Sequence, residues 1–402
     1  MKKIYYGKAV YGNSEIQAVL KVLKNQSLSL MDGPNVKKLE KIVSKLFGKK
    51  YGLMVNSGSS ANLLGLSSLK LKKNDEIITP ALTFSTTLSP IIHLGLKPVF
   101  IDVEPNKFVI DIGQLKNNIT KKTRALMIPN LLGNLPNWKE ISLIAKKNNL
   151  LIVEDSADTI GYKFNNGTTG KLSDIVTTSF YASHVVTGAG FGGMVCFNDK
   201  DLYTKAKLLR GWGRSSAILG EKEDVKSRFN IKLSGIDYDS KYVFSELGYN
   251  FLPSEISAAF AIEQIKKLKK NLSLRIKNFK ILLDFFKKYE NLFDLPEILK
   301  NVKTGWLAFP IVIKKNISIK RKNLQIFLEK NNIQTRTIFT GNVLKQPLIK
   351  KIKYKKNKEG YNISNHVMQN GILLGCHHGM QIKELNHVKK IFEQFLKKSN
   401  LD

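Results

Sequence analysis

Between Tyr51 and Leu209 the chain alternates short, continuous apolar runs with helix-length segments, and no other feature constrains the fold as strongly. The runs are 51–55, 75–79, 98–103, 125–129, 150–155, 175–181 and 194–197. Helical stretches at 61–69, 83–93, 138–147 and 200–209 lie among and after them. Strands that are apolar on both faces and joined by helices predict an α/β fold with a mostly parallel sheet covered on both sides. Ligands of such sheets bind beyond the carboxyl ends of the strands. At 402 residues the chain is long enough for two cores. The pattern divides it into a large domain, 1–263, opened by helices at 14–30 and 35–47, and a smaller α+β domain, 264–402. Strands at 306–313 and 335–339 and helices at 319–330 and 382–398 are expected in the second. The polar stretch 216–239 reads as a mobile loop.

Candidate functional residues cluster at the strand ends. Asn56-Ser57-Gly58-Ser59-Ser60 joins the first strand to a helix. Free amides at that helix start, with small side chains beside them, suit a phosphate dianion; a simple capped helix has the same sequence. Asp155 closes an apolar strand, where an unpaired buried carboxylate is costly; it reads either as a structural residue capping the next turn or as a functional one. Phe84 reads equally as core or as a stacking surface. The most informative stretch is Thr178-Ser179-Phe180-Tyr181-Ala182-Ser183-His184, which runs through a glycine-dense turn to Gly193. Lys and Arg make up 65 of the 402 residues, so the stretch from Leu172 to Asp199 should hold roughly four or five; it holds none. His184 in that gap either packs in the turn or moves protons near neutral pH.

These stretches resemble the DegT-type sugar aminotransferase and dehydratase family, whose fold is that of the type-I pyridoxal-phosphate transferases. The resemblance rests on 56–60, 154–158, 179–193 and 248–261 together. In most members a lysine five residues after the serine holds the cofactor as a Schiff base; His184 stands there in this chain. The resemblance therefore implies pyridoxamine or pyridoxal phosphate bound without a covalent tether. Gly58, Ser59 and Ser179 would grip it, Phe84 would stack on its ring, and Asp155 would pair with the ring nitrogen. Asp158, in an Asp-x-x-Asp pattern, matches the family's dehydratase branch. Asn250 would reach the cofactor phosphate of a neighbouring subunit, which implies a homodimer. Arg210 and Arg214 are candidates for the diphosphate of a nucleotide-sugar substrate. Arg336, and Asn342 in a loop like the one that closes over substrate in the dehydratases, are further substrate candidates. The implied reaction is C3 dehydration of a nucleotide-linked 4-keto-6-deoxyhexose, with His184 as acid and base and L-glutamate restoring the amine, in deoxysugar and surface polysaccharide (O-antigen) biosynthesis. A sugar aminotransferase with another outcome, or a non-catalytic sugar-nucleotide binding protein, are the rival readings.

Composition excludes other classes. The formal charge of +33 is spread along the chain without a nucleic-acid-binding motif, so specific nucleic-acid binding is not expected. No apolar run is long enough for a membrane span, and the first residues lack a secretory pattern. Two cysteines, Cys196 and Cys376, argue against a disulfide framework, fit a cytoplasmic location and cannot supply a four-cysteine iron–sulfur cluster. His377-His378 lacks a spaced third ligand, so no metal is expected. The Gly188–Gly193 GxGxxG string runs into a strand and is not a dinucleotide fingerprint.

Overall fold

A computed structural model describes residues 2–27, 29–165, 167–219 and 225–399. Seven strands form the main sheet: β1 (Tyr51–Val55), β2 (Glu76–Pro80), β3 (Lys97–Ile101), β4 (Thr123–Pro129), β5 (Leu151–Asp155), β6 (Ile175–Ser179) and β7 (Gly193–Phe197). Their order is β1-β7-β6-β5-β4-β2-β3. Only β7 runs against its neighbours β1 and β6; the other pairings are parallel. The carboxyl ends of β1, β5 and β6 therefore open on one edge, where β7 begins.

Alternation along each strand builds a core on both faces. Met54, Ile78, Val99, Leu126, Ile152, Val176 and Cys196 pack into one cluster, with Leu39 and Val43 of α2 (Pro34–Leu46) and Ile141 of α6 (Trp138–Lys147). Leu53, Ile77, Phe100, Met127, Val153, Ile175 and Val195 pack into the other, with Leu64 of α3 (Gly58–Ser67), Leu88 of α4 (Ser85–His93) and Leu209 of α7 (Lys200–Arg210). Helix starts are fixed by side chains: Ser57 accepts from Ser60 N–H to open α3, and Asp199 accepts from Asp201 and Leu202 to open α7. Glu255 opens α8 (Glu255–Lys266) and accepts from Asn35 and Val36 at the start of α2, a buried acid meeting free amides.

A third cluster holds Phe279 and Phe286 of α9 (Leu268–Phe286), Ile311 of β9 (Phe309–Ile313), Leu324 of α10 (Arg321–Lys330), Leu373 of β10 (Gly371–Leu374) and Phe392 of α12 (Ile382–Lys398). In this part β9 pairs with β8 (Phe293–Asp294) and β10, and α11 (Asn362–Asn370) precedes β10. Ile4, Leu131 and Leu132 join the same cluster, so the two parts share a wall. The expected boundary at 263/264 falls inside α8.

Several expectations need correction. The first helix, α1, is Asn13–Lys24 and stops where Asn25 leaves helical geometry (φ −94°, ψ 87°), short of Leu30. Residues 335–339 form no strand: Arg336 makes only an isolated bridge to Leu373, and Phe339 turns left-handed (φ 44°). Stretch 216–239 is not featureless. It holds helical turns at Ser216–Leu219 and Val225–Phe229 and a hairpin, Lys232–Leu233 with Ile236–Asp237; residues 220–224 lie outside the described residues.

Candidate cofactor and substrate site

At the edge where β1, β5 and β6 end lies a cavity of about 660 Å³. Gly58, Ser59, Phe84, Asp155, Asp158, Ser179 and His184 all line it, though their residues span 126 positions from first to last. Among the described residues no lysine or arginine lines it. In a chain with 65 of these residues, a wall without an amine is a specific chemical property of the site.

Each side chain has a local reason for its place. A Cβ on Gly58 would lie 2.6 Å from Ser179 Cβ, so only glycine lets β6 approach the start of α3 this closely. The amides at that start, with Ser59 beside them, then face the cavity. Asp155 ends β5 and is buried. Its Oδ2 accepts from Asn62 Nδ2 at 2.8 Å and Thr87 Oγ1 at 2.7 Å, and its Oδ1 from Ala157 N–H at 3.2 Å. Burial pushes the carboxyl above its ordinary pKa, against those three donors. It makes no ion pair to a described residue, so a ligand cation would complete it. Phe84 is 48% exposed on the cavity side, with its edge against Phe339 at 5.8 Å between centroids. An anion seat at a helix start, an open aromatic face and a buried carboxylate lacking a cation fit pyridoxal or pyridoxamine phosphate.

His184 follows β6 in a turn closed by its own N–H on the Tyr181 carbonyl at 3.0 Å. Nδ1 stands 3.5 Å from Asp158 Oδ1 and, although buried, has no hydrogen-bond partner among the described residues; the side chain is 15% exposed. Asp158 Oδ2 accepts from Leu132 N–H at 3.0 Å. Burial, then the Arg275 cation, pulls His184 down to about 4, so the imidazole is neutral at neutral pH. Burial, then the Asp155 charge, pushes Asp158 up to about 7. The pair can hold and hand on one proton at the mouth of a carboxylate-lined pocket.

Other expected site residues stand elsewhere. Arg210 is buried in the large core. Nη1 donates to the Met54 carbonyl at 2.9 Å and faces Glu40, and Nη2 meets Asp32 at 2.5 Å. Those partners tie α7 to β1 and α2, which corrects the diphosphate expectation for Arg210. Asn342 is also occupied: Oδ1 accepts from Leu344 N–H and Nδ2 donates to Asn365, both at 2.9 Å, so it caps a turn, and it does not line the cavity. Arg214 lies over the Trp212 ring at 4.3 Å and away from the cavity. Arg336 is exposed and sits 5.5 Å from the ring of Tyr6, a cavity residue. Asn250 is exposed, bridges Gly211 and does not line its own chain's cavity. His377 and His378 are engaged within the fold: His377 Nε2 meets the Tyr5 carbonyl at 3.1 Å, and His378 Nδ1 accepts from Arg275 Nε at 3.2 Å.

Sequence reading missed Asn62, Thr87, Tyr181 and Phe339. Asn62 and Thr87 are 93 and 68 positions from the Asp155 they hold, and nothing local marks them. Tyr181 did carry a signal, since a turn at 181–184 places its ring beside His184, 6.0 Å between centroids.

The chain matches the DegT/DnrJ/EryC1/StrS aminotransferase family over residues 10–393. It is 34% identical to a dTDP-4-dehydro-2,6-dideoxy-D-glucose 3-dehydratase of Saccharopolyspora spinosa, over 93% of this chain and 82% of that one. It is 33% identical to a GDP-4-keto-6-deoxy-D-mannose 3-dehydratase of Escherichia coli O55:H7, over 96% and 98% of the two chains. Among solved structures, the E. coli GDP-4-keto-6-deoxy-D-mannose 3-dehydratase with bound hydrated PLP superposes with a TM-score of 0.87 at 31% identity, covering 97% of this chain and 100% of that chain.

Proposed function

This chain belongs to the DegT/DnrJ/EryC1/StrS aminotransferase family, and on that premise we propose that it is a pyridoxamine/pyridoxal-phosphate-dependent lyase. Its reaction removes the C3 hydroxyl of a nucleotide-linked 4-keto-6-deoxyhexose as water; with the cofactor's amine released as ammonia, the net change in the sugar is the loss of one oxygen. The observation that carries this reading is the cavity wall itself: an anion seat, an open aromatic face and a buried carboxylate line it, and the residue beside them is His184, with no lysine or arginine among the described lining residues.

When bound, pyridoxamine phosphate supplies the amine that joins the keto carbon and a ring that accepts electrons. The amides of Gly58 and Ser59 at the start of α3 hold its phosphate, with Ser179 alongside. Asp155, steadied by Asn62 and Thr87, holds the ring nitrogen protonated. Phe84 covers one ring face and excludes water from it. His184, with Nδ1 toward Asp158, keeps Nε2 free to accept a proton and deliver one to the departing C3 oxygen. A lysine at 184 would instead offer an amine and favour amino transfer.

L-glutamate restores the cofactor amine, and the cytoplasm, where nucleotide sugars and glutamate are available, is the expected compartment. The product would feed deoxysugar supply for surface polysaccharide. A homodimer completes the site. Exposed apolar residues, Phe191 of the cavity wall at 72% and Leu247 at 97%, support a second copy, as does an exposed Asn250 that does not line its own chain's cavity. Among the described residues no helix is long and apolar enough to cross a membrane.

The deciding experiment incubates the protein with pyridoxamine phosphate, glutamate and 4-keto-6-deoxyhexoses carried on GDP, CDP, dTDP or UDP, with product mass as the readout. A sugar lighter by one oxygen, its C3 hydroxyl replaced by hydrogen, supports the reading. Gain of an amine, or binding without turnover, overturns it.

A further inference from the structure

We propose that Arg275, on α9 and outside the cavity, is a positioning residue that sets the orientation and tautomer of His184 through hydrogen bonds across two backbone segments that hold Asp158 opposite the imidazole. The assignment rests on the reading of His184 as the proton-transfer group. Arg275 is fully buried and makes no ion pair to a described residue. Nη1 donates to the carbonyls of Trp306 and Leu307, both at 3.1 Å, and Nε donates to His378 Nδ1 at 3.2 Å. Leu307 N–H donates to the Leu132 carbonyl at 2.7 Å. Leu132 N–H donates to Asp158 Oδ2 at 3.0 Å, and Asp158 Oδ1 stands 3.5 Å from His184 Nδ1. Five separate stretches of chain thus lie in a single run from guanidinium to imidazole, hydrogen-bonded as far as Asp158.

Two residues of the path carry strain. Trp306 has φ 41° and Leu132 φ 60°, left-handed values that cost about 1 kcal/mol or more each for residues with a Cβ. They persist because hydrogen bonds on either side hold them. Those same turns aim Leu132 N–H at Asp158, and so aim the free Oδ1 at His184. Losing the guanidinium fork releases the 306–307 carbonyls and, with them, the Leu132 turn.

Charge acts in the same direction. The groups facing the pair are Asp155 at the end of β5, Tyr6 from the first residues, Tyr181 in the turn, and Tyr162, Arg275 and His378 behind the wall. Arg275 is the cation among them, and a buried cation favours ionised Asp158 and neutral His184. A carboxylate opposite Nδ1 selects the Nδ1–H tautomer and leaves the Nε2 lone pair open to the cavity.

The test uses full-length apoenzyme labelled with 15N-histidine, with His184→Asn assigning its signals among the six histidines. Wild type should show His184 as the Nδ1–H tautomer. Arg275→Gln should mix the tautomers, lower kcat about tenfold, and move the acid limb of kcat/KM about one pH unit alkaline. Arg275→Lys keeps a cation, so the acid limb stays in place, but one ammonium cannot span both carbonyls and His378, so tautomers mix and kcat falls. The lysine variant decides alone if the glutamine variant does not fold. An unmixed Nδ1–H tautomer in a folded Arg275 variant overturns the proposal. Because the tautomer is read without cofactor, this outcome is independent of whether the wild-type enzyme dehydrates a keto sugar.

Discussion

Asp155→Asn isolates the contact that distinguishes a cofactor-binding carboxylate from a structural one. Asp155 accepts three hydrogen bonds, two on Oδ2 from Asn62 and Thr87 and one on Oδ1 from Ala157. An asparagine has one acceptor and one donor, so in either orientation its NH2 meets at least one of those donors. The Thr87 hydroxyl can turn away, which limits the cost in the free protein to about 1 kcal/mol. Part of that is offset, because the ionised carboxylate is itself disfavoured there by burial. The loaded protein differs. A protonated ring nitrogen on a buried carboxylate is a charge-assisted bond of about 1.5–3 kcal/mol, and the amide offers only a neutral one. The difference of about 1–1.5 kcal/mol should raise Kd for pyridoxamine phosphate by about 5- to 12-fold. At a ligand concentration of about 100 times the wild-type Kd, wild type gains about 2.7 kcal/mol on loading, whereas a variant bound about 10-fold more weakly gains about 1.4 kcal/mol. Urea unfolding with and without pyridoxamine phosphate, paired with equilibrium dialysis, measures both quantities. A variant whose gain on loading equals that of wild type, with Kd within about threefold, refutes the pairing of Asp155 with the ring.

Further perturbations separate the remaining roles. Wild-type protein loaded with pyridoxal phosphate and treated with borohydride should carry no lysine adduct by peptide mass, and its cofactor should dialyse away; a reduced lysine adduct would contradict the amine-free wall. His184→Asn should lower dehydration by roughly 100- to 10,000-fold while leaving the cofactor Kd within about twofold, and unchanged turnover would remove the proton-transfer role. Gly58→Ala should weaken phosphate and cofactor binding together, since the added Cβ lies 2.6 Å from Ser179 Cβ; dialysis with inorganic phosphate and with the cofactor reads both. His378→Gln tests the buried cluster behind the wall by its pH dependence. His378 is pulled down to about 3 by burial and by Arg275, so its contribution is complete above the ordinary histidine value and lost as pH falls toward the folded one. Glutamine can still accept from Arg275, and the variant should lose about 1.4 kcal/mol less stability per pH unit between about pH 6 and 4. Parallel stability curves for variant and wild type would show that His378 does not titrate in this way.

Local pattern determined much of this protein. Alternation of apolar runs and helices reports which faces must be buried, so the mostly parallel sheet and its binding edge could be read directly. The turn at 181–184 and the absence of lysine around it are equally local, and they placed His184 and the missing amine before any coordinates. Ser57, Gly58 and Ser59 followed from the small residues that a helix start needs to meet an anion. Tertiary structure decided what the long polar side chains do. Arg210 lies 170 positions from Glu40 and 178 from Asp32, and only packing shows that these acids engage its guanidinium. Asn342 looked like a substrate contact until its turn closed on its own amide. Arg275 lies between lysine-rich stretches with no motif around it, yet folding buries it behind the cavity wall. The physical reason is range. Backbone propensity and burial pattern act over a few residues and leave a trace in spacing, whereas a buried charge is satisfied by whichever groups the completed fold brings to it.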